Sequence, residues 1–136
     1  MPVIGAKKTQ RIIVAETQTA AALGSGMLEV YSTPAMIALM ENTAQTLAAE
    51  GLEAGQTTVG TALNIRHVSA SPVGSNITCE AVLTGADRRR LTFDVRAWDD
   101  AGLIGEGTHE RFIVDADRFM EKTLAKLNGR ERRPEA

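Results

Sequence analysis

The sequence predicts an α+β layer fold, and three observations carry the prediction. One long run of strong helix formers is bracketed by clear start and stop signals. Strand-like segments follow it, and the turns between them are short enough to favour antiparallel neighbours. The chain has 136 residues, 43% of them apolar and 24% charged, as expected of one ordinary domain with its own core.

Residues 9–18 carry a β-branched centre, Ile12-Ile13-Val14, and read as a strand. A flexible approach follows at Ala20–Gly26, then a possible short strand at Met27–Tyr31. Ser32-Thr33-Pro34 is a helix start. Thr33, the hydroxyl residue before proline, supplies the cap, and proline takes the first helical position. Ala35 to Glu50 is rich in Ala, Leu and Met, and Gly51 is a natural stop, which gives a helix about 25 Å long. Strand-like runs at Thr57–Val68, Asn76–Gly85, Arg90–Trp98 and Leu103–Val114 then read as a four-strand meander. Asp115-Ala116-Asp117 can cap a closing helix with an apolar stripe of Ala116, Phe119, Met120, Thr123, Leu124 and Leu127. No repeat or linker divides the chain, so residues 1–136 are read as a single domain, with 128–136 a loosely ordered tail.

The net charge of −2 gives no global pull toward nucleic acid or an anionic membrane. No segment approaches a membrane span and no signal peptide is visible, so a cytoplasmic location is expected. The single cysteine, Cys79, reads as a strand residue rather than a nucleophile. The two histidines are far apart, no metal spacing is present, and no glycine-rich phosphate loop appears.

Ile37, Glu41, Ala44 and Ala48 share one helix face, flanked by Met36, Met40 and Leu47. That places Glu41 where the core should be. Burying an unpaired carboxylate is costly, so Glu41 is either a group with a task or one at the stripe's edge that reaches an amide or water. Thr33 lies eight residues earlier, near the helix N-terminus, where a developing anion is favoured. Strand alternation groups His67 with Val59, Leu63 and Ile65 on an apolar face, either as a satisfied core histidine or as an acid/base. Gly60 is either a bulge or close backbone approach, or an unobstructed N–H beside a substrate. Gly105–Arg111 is dense in polar groups and reads as the solvated face of an edge strand, with Arg111, His109 and Ile113 on one side.

Three segments, taken together in this order and spacing, resemble the fluoroacetyl-CoA thioesterase family of hotdog proteins: Thr33–Glu41, Gly60–His67 and Gly105–Arg111. The resemblance runs from about residue 27 to 127. It implies a hotdog fold, an antiparallel sheet wrapped around one long helix. It implies hydrolysis of an acyl-CoA thioester by a Thr33, Glu41 and His67 set, with Gly60 lining the acyl pocket and Arg111 organising the site. It implies a homodimer with sites near the subunit interface, and no cofactor beyond the CoA of the substrate. The fluoroacetate-specific member has phenylalanines shortly before the threonine. Here no Phe precedes Phe93, and Tyr31 is the nearby aromatic, so a broader small acyl-CoA is expected. Two rival readings stand beside this one: an enoyl-CoA hydratase or dehydratase on the same fold, and a non-catalytic acyl-CoA-binding module.

Overall fold

The computed structural model describes residues 2–132. Strand β1 (Lys7–Ile13) leads through a 3-10 turn at Glu16–Gln18 and a four-residue helix α1 (Ala20–Leu23) into the long helix α2 (Thr33–Ala49). Strands β2 (Gln56–His67), β3 (Asn76–Asp87), β4 (Arg90–Asp99) and β5 (Gly102–Asp115) follow, then helix α3 (Ala116–Leu124) and 3-10 turns at Ala125–Arg132. The strands form one antiparallel sheet in the order β1-β3-β4-β5-β2, curled around α2.

The core follows from strand alternation. Ile77, Cys79, Ala81 and Leu83 on β3, and Leu91, Phe93, Val95 and Ala97 on β4, are all fully buried on the face turned to the helix. They meet Met36, Met40, Ala44, Leu47 and Ala48 of α2. Gly105 on β5 lets α2 come close, because a Cβ there would stand 2.5 Å from the Met36 sulfur. Gly105 lies opposite His67 in the ladder, so this close approach sets the start of the helix against the end of β2.

Several sequence expectations change. The first strand is Lys7–Ile13, not 9–18, and Met27–Tyr31 forms only isolated bridges, Thr19 to Tyr31 and Val30 to Pro72. Only β3, β4 and β5 form a meander. β2 pairs with β5 at the far edge, so its connection to β3 crosses the sheet rather than turning a hairpin. That connection satisfies its backbone elsewhere, with Tyr31 N donating to Ser71 O at 2.8 Å and Gly74 N to Val14 O at 2.9 Å. The closing helix forms, but none of its residues is buried, and Asp115 makes no side-chain capping bond. The tail expectation for 128–136 falls partly on the 3-10 turns, and residues 133–136 lie outside the described residues.

The helix cap is Ser32 rather than Thr33: the Ser32 hydroxyl accepts from Ala35 N at 3.1 Å, and Thr33 is the first helical residue. Ser32 is buried and Thr33 exposed. Ser32→Ala should therefore cost about 1 kcal/mol of stability. Thr33→Val should cost less than about 0.5 kcal/mol. Urea unfolding of the two variants checks this ordering.

Candidate active site

The buried face of α2 is Met36, Leu39, Met40, Thr43, Ala44, Leu47 and Ala48. Glu41 and Ile37 lie on its border instead of at its centre, and the Glu41 side chain keeps 39% exposure. The reason is angular: each residue turns the helix by about 100°, which carries Glu41 from the sheet-facing side of Met40 toward the β2 edge.

There Glu41 meets Arg111. The guanidinium is buried and held from several sides. Its Nε donates to Thr58 Oγ1 at 2.8 Å, its Nη2 to Thr58 O at 3.0 Å, and its Nη1 to His109 Nε2 at 3.1 Å. The same Nη1 reaches Glu41 Oε2 at 3.5 Å, a long contact with a single carboxylate oxygen. Burial works against the Arg111 charge, and Glu41 supports it. Gly60 lies directly opposite Arg111 in the ladder. A Cβ at Gly60 would stand 2.7 Å from Glu41 Oε2 and 3.3 Å from Arg111 Nη1, so a side chain there would push the carboxylate from its place.

At the other end of β2, His67 Nδ1 is 2.8 Å from the Thr33 hydroxyl. The other ring nitrogen, Nε2, is buried and has no hydrogen-bond partner among the described residues. Burial lowers the His67 pKa below its usual range, and the backbone at Ser69 pulls the other way. Both residues line a cavity of about 310 Å³ with Ala20, Tyr31, Ser32 and Ser69. A neutral imidazole with one nitrogen on a hydroxyl and the other left without a partner, beside a cavity, is equipped for proton transfer.

The structure thus gathers the predicted residues into two groups. Thr33 and His67 form one, and Glu41, Gly60 and Arg111 the other. Thr33 and Glu41 are separated by about 12 Å of helix rise within one chain. Simple alternation placed His67 with Val59. A one-residue bulge between Gly60 and Ala62 overturns that grouping, for Thr61 is extra and shifts the parity. Thr58 and Gly60 now share the helix-side face with Leu63, Ile65 and His67, while Val59 pairs with Phe112 on the outer face. The solvated-edge reading of Gly105–Arg111 also fails: β5 is flanked by β4 and β2, and His109 and Arg111 are buried. Sequence reasoning missed Thr58 and His109 as members of the Glu41 group, although the i, i+2 spacing of His109 and Arg111 already put them on one face. Cys79 is buried in the core, and burial pushes its thiol pKa up to about 11, which removes it as a nucleophile.

An antiparallel sheet curled around one central helix, with polar clusters at the ends of an edge strand, defines the hotdog class. The sequence profile of the family described as fluoroacetyl-CoA-specific thioesterase matches residues 14–117. The fluoroacetyl-CoA thioesterase of Streptantibioticus cattleyicolor is 38% identical over 98 residues, covering 72% of this chain and 70% of that relative. A solved structure of a fluoroacetyl-CoA thioesterase mutant bound to fluoroacetate superposes with a TM-score of 0.87 at 32% identity, covering 91% of this chain and 98% of that one. A Thermus thermophilus thioesterase superfamily member shares the fold, with a TM-score of 0.86 at 23% identity and 96% coverage of both chains. The chain belongs to the fluoroacetyl-CoA-specific thioesterase family.

Two measurements test the geometry of the site. Gly60→Ala should displace the Glu41 carboxylate from Arg111 and lower any Glu41-dependent activity by roughly tenfold or more, without unfolding the protein; steady-state kinetics alongside circular dichroism would show it. The pH dependence of stability tests the histidines. Burial is the leading effect in lowering the pKa of both His67 and His109 below 6.5, so the unfolded chain binds protons first as the pH falls. Their contribution is complete above 6.5 and is lost as the pH drops from there toward the folded-state values. The urea midpoint should be lower at about pH 5.5 than at about pH 7.5. Asp99, held below its usual range chiefly by the Ser71 hydroxyl, adds its own loss only at more acidic pH.

Proposed function

We propose that this protein hydrolyses a small acyl-CoA thioester to the carboxylic acid and free CoA. The observation that carries the reading is the paired chemistry at the two ends of β2. One end has a hydroxyl–imidazole pair whose second ring nitrogen is unpartnered among the described residues, and the other has a carboxylate beside a buried arginine. Thioester hydrolysis needs an oxygen nucleophile at the acyl carbon, donors for the oxyanion and a proton for the departing thiolate. Glu41 supplies the first, either by attacking the carbonyl to give an anhydride or by taking a proton from the attacking water. Its single long contact with Arg111 orients one oxygen and leaves the other free. The Gly60 N–H and the Thr33 hydroxyl are the oxyanion donors in this reading, and His67 is the proton carrier.

The two groups come together in a homodimer. β2 is an edge strand of twelve residues, and Gly60 to Asn64 are exposed along it. An uncovered edge this long is a template for another strand. Antiparallel pairing of two β2 strands about an axis at Asn64 is self-complementary. It sets Leu63, 43% exposed in the single chain, against Ile65 of the partner subunit on the helix-side face. Because Thr61 is extra, the same register sets Gly60 opposite His67 of the partner subunit. Each site then combines Glu41, Gly60 and Arg111 of one chain with Thr33 and His67 of the other. A cytoplasmic location fits this reading, with the single unpaired Cys79 as its support.

The Streptantibioticus cattleyicolor relative is a fluoroacetyl-CoA thioesterase. In this chain the approach to Thr33 carries exposed Leu23, Met27 and Leu28, and the nearby aromatic, Tyr31, is buried and bonded to Ala35 O. An aliphatic, open approach suits a broader range of small acyl groups. A thiol-release panel over acetyl-, propionyl-, butyryl- and fluoroacetyl-CoA tests the reading. Wild type should release CoA from at least one of them, and Glu41→Gln and His67→Ala should each lower kcat by roughly a hundredfold or more in a folded dimer. Glu41→Gln with near wild-type turnover would overturn the Glu41 role.

A further inference from the structure

His109 lies at the centre of β5 with about 1% exposure. Its two ring nitrogens have partners of opposite kind. Nδ1 is 2.8 Å from the Ala62 carbonyl oxygen, which can only accept, so Nδ1 carries a proton. Nε2 is 3.1 Å from Arg111 Nη1, which can only donate, so Nε2 carries a lone pair. The contacts therefore fix both the tautomer and the charge. A proton on Nε2 would face the guanidinium and break that bond. The surroundings agree: Phe93 of β4 lies against the ring with centroids 6.2 Å apart, Leu63 pairs with it from β2, and the charged groups bearing on it are Arg111, Glu41 and Glu110.

Among the described residues the Arg111 guanidinium has two anchors besides Glu41, namely Thr58 and His109. Thr58 takes Nε and Nη2. His109 alone fixes Nη1, the nitrogen that touches Glu41. We propose that His109 is a positioning residue: an Nδ1–H imidazole, neutral at neutral pH, whose Nε2 aims the Nη1 of Arg111 at the Glu41 carboxylate. This rests on the reading of Glu41 as the reacting carboxylate. His109 touches no substrate in this role. It acts only through Arg111, and it anchors the guanidinium without neutralising it, as a carboxylate in its place would.

The two ring nitrogens can be replaced separately. Asparagine at 109 carries an amide N–H where Nδ1 stands, keeping the bond to Ala62 and losing the acceptor for Arg111. Glutamine carries a carbonyl oxygen where Nε2 stands, keeping the acceptor and losing the donor to Ala62. The readout is thiol release from the fastest substrate among acetyl-, propionyl- and butyryl-CoA. His109→Asn should lower kcat by roughly tenfold or more with KM within about twofold, and His109→Gln should recover most of that loss. In a Glu41→Gln background, His109→Asn should change the residual rate by less than about twofold, since its effect passes through Glu41. A merely structural role predicts the reverse order, with Asn the milder change. Equal rates for the two variants, or a full His109→Asn effect in the Glu41→Gln background, would overturn the proposal while leaving the Glu41 reading intact. Near wild-type turnover by Glu41→Gln would instead remove the Glu41 reading and this inference with it. A second measurement needs no variant: nitrogen-15 NMR of histidine-labelled wild type should show His109 with a protonated Nδ1 and a bare Nε2 at neutral pH, and an imidazolium or the opposite tautomer would contradict the assignment.

Discussion

One extra residue in an edge strand organises the site. Thr61 is left unpaired where β2 runs beside β5, and its side chain turns outward to bond Glu110, with the hydroxyl donating to Oε2 at 2.6 Å. Without that bulge, strict alternation would send either Gly60 or His67 to the outer face. With it, Thr58, Gly60, Leu63, Ile65 and His67 all look toward α2. The clearance above Gly60 for the Glu41 carboxylate, the Thr58 bonds that seat Arg111, and the reach from His67 to Thr33 all depend on that change of parity.

A second constraint comes from the helix. α2 carries a residue of each polar group: Thr33 in its first turn and Glu41 two turns on. Ser32 takes over the capping bond, which leaves the Thr33 hydroxyl free to meet His67. Gly105 admits Met36 and draws the start of the helix onto the sheet at the level of His67. A helix that presents a hydroxyl and a carboxylate about 12 Å apart along its axis cannot bring both to one acyl carbon by itself. The β2 edge, with its exposed Leu63, is the surface through which the proposed dimer would resolve that separation.

Much of this was legible in the residues. The Ala-, Leu- and Met-rich run between Ser32-Thr33-Pro34 and Gly51 specified the helix. The alternation of Ile77, Cys79, Ala81 and Leu83 specified a half-buried strand. Family membership was legible through Thr33–Glu41, Gly60–His67 and Gly105–Arg111 in register, and the profile match over residues 14–117 agrees with it. What failed to show were properties decided by distant partners. A bulge is a relation between two strands, so β2 alone could not reveal that Thr61 is extra. The polar run ending in Arg111 resembled an edge because strand order, which sets β5 between β4 and β2, is a long-range outcome. Glu41 could be read either within the buried stripe or at its edge, and it lies at the border, for the arc that faces the sheet is fixed by where the sheet curls. Ser32 and Thr33 are both competent caps, and tertiary contact with His67 separated their roles.

The central claim is that each site takes Glu41 from one chain and the Thr33–His67 pair from the other. It is tested most directly by mixing two inactive chains. Subunits carrying Glu41→Gln and subunits carrying His67→Ala, joined in a purified heterodimer with two different affinity tags, contain one doubly altered site and one fully intact site if the sites are shared between chains. About half the wild-type turnover per dimer should then return. If each site lies within a single chain, both sites of the heterodimer carry one lesion, and the mixed protein stays as inactive as its parents.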